Sequence, residues 1–114
     1  MMPSILKATA AVVTVATGLL GAIRPSAVPD FTGLKPTGAR GVTEIRSIFG
    51  GLFIALGAYP LVTGADTAYH MLGVMYLAIG AVRLISMLID ESLSEVSNLA
   101  SLAVEIVLGV ILVV

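Results

Sequence analysis

Four stretches of mostly apolar residues follow one another along the chain, near 4–23, 42–63, 67–89 and 93–114, with polar and turn-forming residues between them. Each approaches or exceeds the roughly 20 residues an α-helix needs to cross a bilayer's hydrocarbon core. The second stretch has an uncharged run from Ser47 to Ala65 and carries Pro60 near its end, where a helix is expected to stop or bend. A short turn around Gly64 leads to the third, which Asp66 is placed to cap; Ser92 and Glu95 have the S-x-x-E spacing of a capping box for the fourth. The segment from Arg24 to Gly41 holds three prolines (Pro25, Pro29, Pro36) and three glycines (Gly33, Gly38, Gly41), so it reads as a long irregular loop with Phe31 and Leu34 at the interface.

Composition agrees with this pattern. Of 114 residues, 58% are hydrophobic and 11% charged, far below the roughly 25% charged residues of soluble domains. The expected fold is therefore all-α: one domain over residues 1–114, an integral membrane bundle of four transmembrane helices with short turns and one long Pro/Gly-rich loop. Lys7 followed by an uncharged run also fits a signal peptide, but no small-x-small cleavage site follows cleanly, and the segment reads as a retained first helix. With four spans, both ends and the Gly64 turn lie on one side, and the long loop and the Asp90 turn on the other. Arg24, Lys35 and Arg40 in that loop, against Lys7 opposite, place the loop in the cytoplasm by the positive-inside tendency.

Charge and residue types exclude several functions. Six Lys or Arg against seven Asp or Glu leave no basic field for nucleic acid. Cysteine is absent and there is one histidine, so no zinc or cluster spacing exists and no metal or other cofactor is expected. His70, near the start of the third helix, is the one candidate ligand for a haem or pigment, although an interfacial histidine is the more ordinary reading.

Helical periodicity sorts the remaining polar residues. Tyr69, Gly73, Tyr76, Gly80, Arg83 and Asp90 share a stripe on the third helix, and Ser94, Asn98, Ser101, Glu105 and Gly109 one on the fourth. Glu44, Ser47, Gly51, Ala55 and Ala58 form one face of the second helix, with Arg46, Gly50 and Gly57 on its neighbour, while Thr14, Gly18 and Ala22 line the first. Gly18, Gly50, Gly51, Gly73 and Gly80 are expected to let the helices pack closely. A charge inside a membrane helix costs on the order of 3 kcal/mol, so the charges should face inward and find partners. Counting about 1.5 Å per residue from the Asp90 turn puts Arg83 about 10 Å deep and Glu105 about 18 Å deep. The expected arrangement is a buried polar cluster of Glu44, Arg46, Arg83, Asp90 and Glu105. Its carboxylates would neutralise the arginines in a shallow layer, with Arg83 stretching toward Glu105 and with Tyr76, Asn98 and Ser101 in support. Tyr76 is the alternative partner for Glu105.

The run Glu44-Ile45-Arg46-Ser47-Ile48-Phe49-Gly50-Gly51, followed by Arg83-Leu84 and the late Glu105, resembles a family of small bacterial four-helix membrane proteins classed as domain of unknown function 4345. The likeness covers most of the chain after Gly41. It implies the four-helix fold and a place in the bacterial cytoplasmic (inner) membrane, and it implies no substrate or reaction.

Nothing in the sequence has the spacing of a nucleophile, triad or metal site, so no catalytic residue is assigned and enzymatic activity is disfavoured. The leading expectation is a structural or accessory subunit, with the lipid bilayer and either other membrane subunits or further copies of itself as partners. The alternative is a small transporter, or a bundle that binds a lipophilic or anionic ligand through the buried Arg/Glu cluster.

Overall fold

A computed structural model describes residues 2–114, and within them the chain is helical without strands. Helix α1 spans Ser4–Ile23. A 3-10 turn at Pro25–Ala27 leads into the short α2, Val28–Thr32. The long helices α3 (Gly38–Thr63), α4 (Asp66–Ile89) and α5 (Val96–Val113) follow. Helices α1, α3, α4 and α5 are each long and apolar enough to cross a membrane.

The four are arranged as two antiparallel pairs. In the α1/α3 pair the backbones meet at glycines: a Cβ on Gly18 would lie 2.7 Å from the Ile54 amide nitrogen, one on Gly50 2.6 Å from the Ala22 Cβ, and one on Gly57 2.7 Å from the Ala11 carbonyl oxygen. In the α4/α5 pair, Gly73 faces Leu112 and the Gly109 carbonyl, while Gly80 faces Ile106. Small residues permit this approach, and the gain is dispersion contact along the whole seam. Between the pairs, Ala10, Ala11, Leu72, Tyr76 and Leu112 form a buried core toward the Gly64 end. The Cα envelope measures 41 × 31 × 16 Å, a slab in which every long helix keeps a broad outer face.

Several local expectations are corrected. The Arg24–Gly41 segment contains α2 and the start of α3 instead of a wholly irregular loop. Pro25 and Pro29 sit at first-turn positions, where a missing N–H costs nothing, and Gly33 closes α2 with φ 72°. Helix α3 does end at Thr63, the bound expected from sequence, but it is Gly64 and not Pro60 that stops it: its φ of 65° continues no helix, and its amide donates to the Pro60 carbonyl at 2.8 Å. Ala65, not Asp66, is the N-cap of α4, and Asp66 lies in the first turn. The Ser92–Glu95 capping box does not form: α5 starts at Val96, Glu95 caps without a side-chain bond, and the Ser92 hydroxyl oxygen is taken by Asn98.

The largest departure is a π-helical stretch, Ile45–Leu52, inside α3. The buried positions there are Ile45 and Gly50, five residues apart, followed by Gly57 and Pro60. On an α-helix, positions five apart diverge by about 140°, and the wider π turn brings them back to one face. Gly51 is consequently turned outward, with nothing within 4 Å of where its Cβ would be, so it is not a packing glycine.

Candidate functional site

Toward the α2 end the two pairs part and leave a cavity of about 470 Å³. The Pro-initiated α2 sets Phe31 and Thr32 against it, the π stretch supplies Phe49, and Phe53 follows one turn later. Val13 and Thr17 come from α1. Helix α4 presents Tyr76, Ile79 and Arg83, spaced three and four apart on one face, and α5 presents Ser97, Ser101, Val104, Glu105 and Leu108. The walls are thus largely aliphatic and aromatic, with one charged pair set into them, a composition typical of small-molecule sites.

That pair is held by two parallel bonds. Arg83 Nε donates to Glu105 Oε1 at 2.8 Å and Nη2 to Oε2 at 2.7 Å, the fork geometry that suits a guanidinium to a carboxylate. Arg83 Nη1 also donates to Asn98 Oδ1 at 3.1 Å, and Asn98 Nδ2 donates to Ser92 Oγ at 3.1 Å. The late start of α5 makes this contact possible. Glu105 is nine residues into the helix, about 14 Å, while Arg83 is six residues from the end of α4, about 9 Å, so the depths differ by a span an arginine side chain covers. The side chains are 29% exposed for Arg83 and 10% for Glu105, so Glu105 is enclosed and Arg83 is partly open.

Tyr76 bonds to Thr14 of α1 instead of Glu105. The Thr14 hydroxyl already donates to the Ala10 carbonyl at 2.9 Å, so its single proton is committed and the Tyr76 hydroxyl must be the donor between them. This bond ties the two helix pairs together at the cavity's inner end.

The five-residue cluster expected from the sequence is not assembled. Arg83 and Glu105 are brought together, with Asn98 in support and Ser101 on the same cavity wall. Glu44 pairs with Arg40 one turn earlier on α3, in an exposed position. Arg46 crosses to α1, where Nη1 donates to the Ala22 carbonyl at 2.6 Å and so satisfies one of the carbonyls left open at that helix end. Asp90 accepts a 2.6 Å bond from the Ser86 hydroxyl and is exposed. These three charges lie close enough to the helix ends to find local partners, and a shared buried layer is unnecessary. Gly18, Gly50, Gly73 and Gly80 are buried at helix seams.

Among the described residues, no three His, Asp or Glu side chains are grouped as metal ligands. His70 is exposed in the second turn of α4 and does not line the cavity. Phe31, Phe49 and Phe53 were not singled out by sequence for this site, because an apolar side chain facing a cavity has the same pattern as one facing lipid.

A family described as Domain of unknown function (DUF4345) matches residues 3–114. The chain belongs to that family. No curated protein and no solved structure matches it. In this DUF4345 chain the Glu44–Gly51 run coincides almost entirely with the π stretch, so the charged dyad and glycine pair behind the resemblance mark a real local irregularity. Its Arg46 fastens α3 to α1, and its Phe49 faces the cavity.

Proposed function

We propose that the chain is an integral membrane protein whose four long helices cross the bilayer, and that it holds a lipophilic molecule with a polar head in the cavity between its helix pairs. The observation that carries this reading is the cavity itself: about 470 Å³, walled by Phe31, Phe49, Phe53 and aliphatic side chains, with Arg83 and Glu105 set into one side. An occupant with an apolar body would be matched by most of the wall, and its polar end would have a place to bond. Native mass spectrometry of the protein, extracted under mild conditions from its own membrane, tests it. A reproducible adduct of one lipophile is the expected result; protein recovered bare would contradict it.

A second reading, an accessory subunit of a larger membrane complex, draws on the slab shape. At most 28% of the residues in any of the four apolar windows are buried. Side chains such as Val62, Val82 and Ile89 face outward and could meet another subunit, but lipid would cover them equally well. Stable recovery with different subunits and no small molecule would favour this second reading. In either case the loop end, with Arg24, Lys35 and Arg40, is assigned to the cytoplasmic side.

A further inference from the structure

We infer that the polar head seated in this cavity is an uncharged hydrogen-bond acceptor, a carbonyl of ketone, ester or amide type, docked on Arg83. The inference rests on the lipophile-binding reading above and deepens it.

Charge at the cavity wall restricts the head group. Among the residues lining the cavity, Arg83 and Glu105 are the only two that carry formal charge at neutral pH, and they neutralise each other through two bonds of 2.8 and 2.7 Å. A carboxylate or phosphate entering beside them would add a charge with no counter-ion in a poorly polarisable space. Drawing Arg83 away to meet that anion would strand Glu105, whose side chain is enclosed, and removing one member of such a pair is expensive. A cationic head meets the mirror-image difficulty: it would add a positive charge beside Arg83, and Glu105, the one acidic side chain in the lining, is already paired. A net-neutral site therefore selects a neutral head.

Hydrogen-bond capacity restricts it further. A guanidinium has five N–H groups. Among the described residues, Glu105 accepts two of Arg83's and Asn98 one, which leaves one on Nη1 and one on Nη2. Both nitrogens are donors only, so the partner they can take is an acceptor. A carbonyl supplies lone pairs without charge, and the aromatic and aliphatic walls accommodate the chain attached to it.

The test uses the full chain in detergent micelles and three probes with equal carbon number: methyl tridecyl ketone, pentadecane and pentadecanoate. Each competes with an alkyl-diazirine probe for photolabelling of cavity peptides, with amounts corrected for micelle partition. The ketone is expected to halve the labelling at a concentration about tenfold or more below that of the alkane, the factor that one hydrogen bond to a charged donor supplies. It should likewise outcompete the carboxylate at neutral pH. In the wild-type protein, the ketone's infrared carbonyl band should move to lower frequency on binding. Carboxylate binding as well as or better than the ketone overturns the inference, and so does an alkane that binds equally well; both leave lipophile binding intact. Failure of the diazirine probe to label the cavity at all overturns the lipophile reading and the head-group inference together.

Discussion

Arg83 on α4 and Glu105 on α5 share two hydrogen bonds of 2.8 and 2.7 Å, and Glu105 has no other charged partner among the described residues. Removing the arginine leaves an enclosed carboxylate without its cation. Arg83→Ala is expected to destabilise the fold by about 3 kcal/mol, the lower end for a buried pair because the Arg83 side chain is partly exposed. Replacing both residues, as Arg83→Met with Glu105→Leu, should recover at least half of that loss, since no buried charge remains. Reversible unfolding in micelles measures both. A single variant as stable as wild type would show that the pair contributes nothing.

The glycines of α3 separate into two kinds. Gly50 has Ala22 against it, and a methyl group there must push α1 and α3 apart, so Gly50→Ala should cost about 1–3 kcal/mol. Gly51 is open to the outside, and Gly51→Ala should be neutral or stabilising by up to about 1 kcal/mol. Thermal unfolding of the two variants side by side checks this. Equal losses would contradict the π register, because α-helical periodicity puts both positions at helix seams.

This contrast also marks what could be read from sequence. Length and apolarity located the four long helices to within a few residues, since those properties are local. The π stretch escaped because helical-wheel reasoning assumes 3.6 residues per turn, and the burial of both Ile45 and Gly50 breaks that rule. Arg83 and Glu105 were legible as partners because deep charges must find each other. Charge pairing predicts a carboxylate partner for Arg46, which instead binds the Ala22 carbonyl, an acceptor present at every residue and so invisible to side-chain patterns. The cavity depends on how far two helix pairs separate, which no periodicity encodes.

Thr14 and Tyr76 should respond unequally to substitution. Tyr76→Phe removes a donor, yet Thr14 keeps its bond to Ala10, so the cost should be about 0.5–1.5 kcal/mol. Thr14→Val leaves the buried Tyr76 hydroxyl unpaired and should cost more, about 1–3 kcal/mol. Adding Tyr76→Phe to Thr14→Val should then restore stability. Denaturant titration of the two single variants and the double variant decides it; a larger loss for Tyr76→Phe would reverse the assignment of donor and acceptor.

Arg46→Ala should loosen the end of α1 with a modest effect on global stability, about 1 kcal/mol for an exposed cation at a helix C-terminus. Hydrogen exchange followed by mass spectrometry should show faster exchange in the peptide covering Gly21–Arg24 and no change in α5. Unaltered exchange at α1 would mean that the Ala22 contact does not hold that end.

The most direct test of lipophile binding is to map where an alkyl-diazirine probe attaches to the wild-type protein. Labelling concentrated on the peptides carrying Phe31, Phe49, Phe53 and Leu108, and competed away by excess unlabelled lipophile, is the expected result. Labelling confined to outward side chains such as Val62, Val82 and Ile89, with none in the cavity, would contradict the proposal.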